Sequence, residues 1–174
     1  RGMLDDTLVI FTSDHGEWLG TYGRYGKGHP ADDTISRVPL IMRPPASTGR
    51  VESVVSTIVE AIDVLPTVLD TAMIPIPPRL QGRSLLPLAR GQASSHPGSA
   101  ITEHRGWKTL RTHGYRYLIE SSGREYLFHL ESDPHGQHDV SADPLHAVSL
   151  GEHRRLLLQR LIERERPRPR TWTY

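Results

Sequence analysis

An apolar run that stops at a pair of metal-type ligands is the feature that most constrains this chain. Residues Leu8 to Phe11 form a continuous stretch of strand-forming side chains, and Asp14 and His15 follow shortly after it. Continuous hydrophobicity is typical of a strand covered on both faces, as in a parallel sheet. In open α/β sheets, ligands collect at the carboxyl ends of such strands. The pattern predicts an α/β fold with a functional site directly after the first strand.

A glycine-dense loop follows this pair and carries Lys27, one of only two lysines in a chain with 19 arginines. A carboxylate and an imidazole can share one divalent cation if the chain turns at Gly16. A lysine nearby can stabilise the charge of an oxyanion. A metal and a lysine around a tetrahedral anion are suited to phosphoryl or sulfuryl transfer, which depends on positioning and charge neutralisation.

Each of these residues alone also has an ordinary structural explanation. An Asp-His pair at a strand end is usually a turn or a helix cap, and a single loop lysine is usually solvated. Two ligands also fall short of the roughly six oxygens that a hard cation takes. We therefore expect that any metal site here obtains at least half of its ligands from elsewhere.

The first half of the chain predicts two more elements that would surround the site. A second buried strand is expected at Val38 to Met42, where apolar residues precede two prolines. A helix is expected after Asp63 as its N-cap, with Pro66 in the first turn. Helical spacing predicts that this helix buries one apolar face. The face consists of Leu65, Val68, Leu69, Ala72 and Met73.

The second half of the chain has a different texture from Ala100 onward. Four short strand-like runs separated by glycines predict an antiparallel meander. A last helix, opened by Pro144 after Asp143 as its cap, is expected to pack Leu157 and Leu161 onto that sheet. We predict an α/β part over residues 1–92, a small α+β unit over residues 93–166, and a loose tail over residues 167–174.

Composition excludes several classes of protein. The 174 residues include no cysteine, so disulfides and thiolate metal sites are impossible. A net charge of +1 without a long basic stripe does not favour nucleic acid, and no apolar run predicts a membrane span. The chain begins with Arg1, so we expect a fragment, and the compartment stays open.

Taken in order, the motifs of this chain resemble the C-terminal half of the sulfatase family, within the alkaline-phosphatase-like superfamily. The resemblance implies an alkaline-phosphatase-like α/β sandwich, followed by a small antiparallel sheet with a C-terminal helix. It is carried by TSDHGE at 12–17, GKG at 26–28, RVPLIMRPP at 37–45, IDVLPTVLD at 62–70, LQGRSLLPL at 80–88, LRTHGYRYLI at 110–119 and YLFHLESDP at 126–134.

The resemblance also implies roles for single residues. Asp14 and His15 match the family's late pair of metal ligands, and Lys27 matches the lysine that contacts the sulfate. Lys27 is thus the candidate catalytic and substrate-binding residue, and His29 is a further substrate-binding candidate. The family implies Ca²⁺, with Mn²⁺ or Mg²⁺ as alternatives, and the nitrogen ligand favours Mn²⁺ or another transition ion over Ca²⁺. The expected partner is a sulfated small molecule or glycan, with no nucleic acid or membrane.

Other parts of the family's site have no counterpart here. Its formylglycine nucleophile is made from a (Cys/Ser)-x-Pro-x-Arg motif, which this chain lacks. The family's early metal ligands also lie upstream, so we expect a catalytically inactive fragment. Many sulfatases carry Asn where His15 stands, which keeps a phosphodiesterase or phosphonate monoester hydrolase of the same superfamily as an alternative. A non-catalytic domain that keeps the fold is another.

Overall fold

Two antiparallel sheets organise the part of the chain that the computed structural model describes, namely residues 2–27, 32–49, 51, 54–92 and 96–165. The first sheet pairs β1 with β2, and the second is a meander in the order β3-β4-β5-β6. The strands are β1 (Val9–Thr12), β2 (Leu40–Arg43), β3 (Ala100–His104), β4 (Trp107–Arg111), β5 (Tyr115–Glu120) and β6 (Glu125–His129). The helices are α1 (Asp33–Ser36), α2 (Val64–Thr71), α3 (Leu86–Ala89) and α4 (Ala147–Arg164).

The meander predicted for the second half is confirmed, and it carries the main core. Leu110, Tyr117 and Leu127 come from three successive strands and pack against Leu150 and Leu157 of α4. Neighbouring strands place side chains of one face in register, so their apolar residues form a continuous surface. Full burial of each such side chain contributes about 1.5–3 kcal/mol, which makes this cluster the main support of the second half.

The last helix begins and packs largely as predicted. The Asp143 carboxylate accepts a hydrogen bond from the backbone N–H of Leu145 at 2.9 Å, and a short 3₁₀ turn (Pro144–His146) leads into α4. The positions that α4 buries are spaced by three and four residues, which places them on one face. They are Leu150, His153, Leu157 and Arg160, and Leu161 packs beside them.

The prediction of a buried, parallel first strand is wrong for this chain. β1 pairs antiparallel with β2, and Phe11 and Ile41 face each other across the pair. Their side chains are 61% and 63% exposed. A continuous apolar run indicates that both faces of a strand avoid water, but it encodes neither the strand's direction nor what covers it. Within the described residues, no element covers Phe11 or Ile41.

The predicted helix exists as α2, but the face expected to be buried is the wrong one. Leu65 and Val68 are 51% and 41% exposed, and Met73 lies beyond the helix. Pro66 and Thr67 are buried instead. The Thr67 hydroxyl donates to the carbonyl of Asp63 at 2.6 Å and accepts from the N–H of Leu85 at 2.9 Å. This helix therefore attaches to the α3 segment through hydrogen bonds rather than through its apolar stripe.

Asp63 precedes α2 as predicted, but its side chain does not cap that helix. Its carboxylate accepts hydrogen bonds from the backbone N–H groups of Glu60 at 2.9 Å and Arg83 at 2.8 Å. The bond to Arg83 holds Gly82 so close to the Ile62 carbonyl that a Cβ at Gly82 would lie 2.0 Å from the oxygen. The Asp63 side chain thus connects two loops instead of capping the start of α2.

A buried ion-pair network connects the segment before α2 with α4. The Glu60 carboxylate pairs with Arg160 and, at 2.8 Å, with Arg164. It also accepts the backbone N–H of Ile101 at 2.8 Å. The predicted boundary at residues 92–93 and the tail at 167–174 stay predictions, because residues 93–95 and 166–174 lie outside those described. None of the described helices has the length and apolar character needed to cross a membrane.

Candidate functional site

Asp14 and His15 occupy a bend directly after β1, and local hydrogen bonds shape it. The Ser13 hydroxyl donates to the carbonyl of His15 at 2.9 Å, while the backbone N–H of His15 donates to Asp14 Oδ1, also at 2.9 Å. These bonds fold the carboxylate back toward the ring, so Asp14 Oδ2 lies 3.6 Å from His15 Nε2. Neighbouring residues of an extended strand would point to opposite sides, and the bend is what brings these two together.

The hydrogen bonds of His15 decide which of its nitrogens is free for a ligand. Nδ1 lies 2.9 Å from the carbonyl oxygen of Gly16. Because a carbonyl only accepts, Nδ1 carries the proton and Nε2 keeps its lone pair in the neutral ring. Lys27 Nζ lies 2.7 Å from Nε2 and donates to it. Metal-binding histidines have this arrangement, in which the second ring nitrogen donates to a backbone carbonyl or carboxylate.

The three predicted residues Asp14, His15 and Lys27 therefore meet at one ring nitrogen, which a carboxylate oxygen and an ammonium both approach. The backbone N–H of His15 lowers the pKa of Asp14, and the nearby His15 ring acts in the same direction. Asp14 is thus an ionised carboxylate at neutral pH. Among the described residues, no group of three or more Asp, Glu or His side chains is arranged to hold a metal ion. His29 lies outside the described residues, so its role stays a prediction.

The loop that carries Lys27 closes on itself. The N–H of Trp18 donates to the carbonyl of Gly26 at 3.2 Å, and the N–H of Gly20 donates to that of Arg24 at 2.8 Å. Leu19 has φ 46°, and Tyr22 within the loop has φ 54°. Non-glycine residues adopt this region rarely and at a cost, and such residues concentrate at functional sites.

Gly16 is required by a close approach and not by its backbone angles. Its N–H donates to the carbonyl of Ile35 at 2.7 Å, which draws the chain onto α1. A Cβ at this position would lie 1.9 Å from the carbonyl oxygen of Thr34. No side chain fits there unless the backbone moves, so the residue after His15 has to be glycine.

Replacing Gly16 with alanine is expected to lower the free energy of unfolding by about 3 kcal/mol and to displace His15, because overpacking against backbone forces a shift. Gly151→Ala is the matched control, since a Cβ there meets nothing within 4 Å on an exposed turn of α4. The control should gain about 0.5–1 kcal/mol from helix propensity. Urea unfolding of both variants measures the difference. A Gly16→Ala variant as stable as Gly151→Ala would contradict the close approach of Gly16 to the Thr34 carbonyl.

Sequence reasoning missed Trp18 and Asp32, which connect the loop that carries Lys27 to α1. Both are buried, and Trp18 Nε1 donates to the two oxygens of Asp32 at 3.1 and 3.2 Å. Asp32 also accepts the N–H of Thr34 at 3.0 Å as the N-cap of α1. The available signal was the Asp-Asp-Thr sequence at 32–34, which is typical of a helix start.

Known proteins are similar to this chain in both sequence and fold. The profile of the Sulfatase family matches residues 1–74. Arylsulfatase K of Bos taurus is 33% identical over 157 residues, which are 81% of this chain and 28% of that protein. The Delta 4,5-hexuronate-2-O-sulfatase of Bacteroides thetaiotaomicron is 29% identical over 164 residues, or 87% of this chain and 34% of that protein. The crystal structure of the phosphonate monoester hydrolase of Agrobacterium radiobacter has TM-score 0.83 at 26% identity, covering 94% of this chain and 36% of that one.

The fold and the order of its elements define a protein of the alkaline-phosphatase-like superfamily. Within it, the chain belongs to the sulfatase family and aligns with the C-terminal part of its relatives. It spans about a third of the length of the relatives it matches, with covered shares of 28% and 34%.

Proposed function

We propose that this chain contributes part of the active site of a metal-dependent sulfuric ester hydrolase. Asp14 and His15 supply two ligands of a divalent cation, and Lys27 contacts the oxygens of the sulfate. The observation that carries the proposal is the convergence of a carboxylate oxygen at 3.6 Å and an ammonium at 2.7 Å on the unprotonated Nε2 of His15.

The donor set fits a divalent cation as one part of a larger coordination shell. One ionised carboxylate and one imidazole with its second nitrogen committed to the Gly16 carbonyl are usual ligands. The Asp14 side chain is exposed, so its carboxylate is accessible to a cation in addition to the hydrogen bond that Oδ1 accepts from the N–H of His15. When bound, the cation supplies positive charge against the substrate's oxyanion. Ca²⁺ is the ion we propose from the family, with Mn²⁺ or Mg²⁺ as alternatives.

Lys27 has two roles in this proposal. Without a cation, its ammonium donates to His15 Nε2 and holds the ring ready. A cation held by that nitrogen would take the place of this hydrogen bond, and the Lys27 ammonium would then be available to neutralise charge on the sulfate oxygens. The chain has no (Cys/Ser)-x-Pro-x-Arg motif and therefore lacks the sequence from which the family's nucleophile is made. We propose a formylglycine from a preceding part of the protein.

Exposed apolar surface on and beside the β1–β2 sheet supports this incomplete character. Leu40, Met42, Val55, Leu85 and Leu88 line a groove of about 400 Å³ beside β2. Phe11 and Ile41 are exposed on the same sheet. Monomeric proteins rarely leave such patches open, so we propose that the remaining α/β sandwich covers them.

We propose a sulfated glycan as the substrate class, because one relative is named for action on a sulfated hexuronate. A second candidate is phosphonate monoester hydrolysis, favoured by the structural similarity to the Agrobacterium radiobacter enzyme. Sulfate and phosphonate esters present similar tetrahedral anions. Titration of the Mn²⁺-loaded chain with sulfate and with methylphosphonate, followed by the paramagnetic broadening of each ligand's NMR signals, compares the two, and the tighter ligand indicates the substrate class.

Mn²⁺ binding to the purified chain, measured by electron paramagnetic resonance, tests the proposal. Asp14→Asn and His15→Gln should each weaken binding at least about tenfold, since loss even of a ligand's supporting group costs this much. Lys27→Met should keep or raise Mn²⁺ affinity, because the competing ammonium is gone, and should abolish sulfate binding to the loaded chain. Asp5→Asn is the control, an exposed carboxylate that pairs with Arg43. If the control weakens binding as much as Asp14→Asn, the proposal is wrong.

Turnover of an aryl sulfate by the same preparation checks the complementary expectation. Because the chain supplies only two ligands and no nucleophile, it should show no activity above the buffer rate with or without added Mn²⁺. Robust turnover that Lys27→Met does not reduce would refute both the incomplete site and the role of Lys27.

A further inference from the structure

The short helix α1 lies directly behind the candidate site. Its Ile35 carbonyl accepts the N–H of Gly16, the residue after His15, at 2.7 Å. The Thr34 carbonyl oxygen occupies the space where a side chain of Gly16 would stand. The position of His15 therefore depends on the position of α1.

The same helix also holds the loop that carries Lys27. Asp32 is only 1% exposed and accepts both Trp18 Nε1 and the N–H of Thr34. The backbone of Trp18 in turn donates to the carbonyl of Gly26 at 3.2 Å, one residue before Lys27. A buried carboxylate satisfied by neutral donors is costly to move, because each lost bond leaves a desolvated charge. Asp32 thus connects α1 to Lys27 through the indole of Trp18.

The terminal sheet fixes α1 from the other side. Arg111 at the end of β4 donates from Nε to Asp33 Oδ1 at 3.0 Å and from Nη2 to Asp33 Oδ2 at 3.1 Å. These residues are 78 positions apart in the chain, and both side chains are mostly buried. A two-pronged Arg-carboxylate pair restricts orientation as well as distance. Arg116 on β5 adds positive charge nearby. Burial lowers the pKa of its guanidinium, and the charges of Asp32 and Asp33 offset only part of this effect.

We propose that Arg111, Asp32 and Trp18 are positioning residues through which the terminal sheet sets the place of Lys27 against His15. The sheet holds Asp33, α1 holds Asp32, and Asp32 holds the indole that closes the lysine loop. The importance of this position for hydrolysis rests on the proposed function, but the position itself can be measured without activity.

The two lysines of the chain make this measurement direct. Reductive methylation with ¹³C-formaldehyde labels Lys27 at the site and Lys108 on the terminal sheet, where Lys108 pairs with Glu103 at 2.8 Å. In the unchanged chain, the Lys27 methyl signal should differ from its position in urea and show a nuclear Overhauser contact to an imidazole. Loss of that contact in His15→Gln assigns it.

Trp18→Phe keeps the buried ring and removes the N–H to Asp32, and Arg111→Gln removes the fork to Asp33. In each, the Lys27 contact should disappear and its signal should move most of the way to the urea position, while the Lys108 methyl signal and the amide signals of β6 stay unchanged. Arg111→Lys should restore part of the Lys27 shift, and the methyl signal of the new amine at position 111 is recognised by its absence from the unchanged chain. Glu103→Gln is the mirror control and should move only Lys108.

The proposal is overturned if folded Trp18→Phe and Arg111→Gln both keep the Lys27 shift and contact. If either variant fails to fold, the other variant and the milder Arg111→Lys decide by the same readout. Mn²⁺ binding separates this result from the proposed function. A chain that binds no Mn²⁺ but loses the Lys27 contact in the variants refutes the hydrolase and supports the positioning. A chain that binds Mn²⁺ and keeps the contact in the variants does the reverse.

Discussion

Replacing Leu157 with alanine is expected to lower the free energy of unfolding by about 3 kcal/mol, within the range measured for buried leucines. Leu157 is 5% exposed and packs with Leu110, Tyr117 and Leu127 in the cluster that attaches α4 to the sheet. The loss combines the transfer of the removed methyl groups to water with the cavity they leave behind. The cluster is the main apolar contact of this helix. In the Leu157→Ala variant, α4 should therefore detach from the sheet early during unfolding.

Leu158→Ala is the matched control for this prediction. The side chain of Leu158 is one position further on the same helix and is 60% exposed. Its replacement should change stability by less than about 0.5 kcal/mol, as for surface positions in general. Urea unfolding followed by far-ultraviolet circular dichroism measures both variants. Equal losses for the two leucines would mean that α4 does not pack on the sheet through this face.

Replacing Glu60 with alanine is expected to cost about 3–5 kcal/mol, the range for removing one partner of a buried ion pair. The side chains of Glu60 and Arg160 are 10% and 8% exposed. Without the carboxylate, Arg160 would be left as a buried charge, Arg164 would keep only Glu103 as its carboxylate partner, and the N–H of Ile101 would lose its acceptor. Desolvation of these groups therefore destabilises the variant.

The control for Glu60 is the exposed pair of Asp5 and Arg43, whose side chains are 76% and 43% exposed. Asp5→Asn should change stability by about 0–1 kcal/mol, because exposed pairs are solvated and screened. Glu60→Ala combined with Arg160→Met should recover part of the loss, since a buried pair removed together leaves no unpaired charge between them. If Glu60→Ala alone is as mild as Asp5→Asn, the network does not hold the two halves of the chain together.

Much of the terminal sheet was predictable because its signals are local. Glycines such as Gly106 and Gly123 adopt positive φ in the turns, and the strand-forming side chains between them include the buried Tyr117 and Leu118. Asp143 and Pro144 mark the start of the last helix by the same kind of short-range chemistry. A meander joins neighbouring runs in order, so each strand's partner follows from the sequence itself.

The first half was predicted less well because its signals depend on distant surroundings. The apolar pattern of Phe11 and Leu65 was visible, but these side chains are exposed in this chain, and the pattern states only that they avoid water. The groups that cover an apolar face come from elsewhere in the fold. The direction of β1 relative to its partner strand likewise depends on the path of the chain, which composition does not encode.

The residue pattern was sufficient to single out the residues of the candidate site, Asp14, His15 and Lys27, together with the local elements that carry them. Short-range sterics, turn chemistry and periodicity act within a few residues, so their effects can be predicted from the amino-acid sequence alone. Tertiary structure alone decided which charges meet. Arg111 and Asp33 are 78 positions apart, and Glu60 and Arg160 are 100 apart. Their pairing depends on the folded path of the chain, because a buried ion pair is stable only where its surroundings bring both groups together and exclude water.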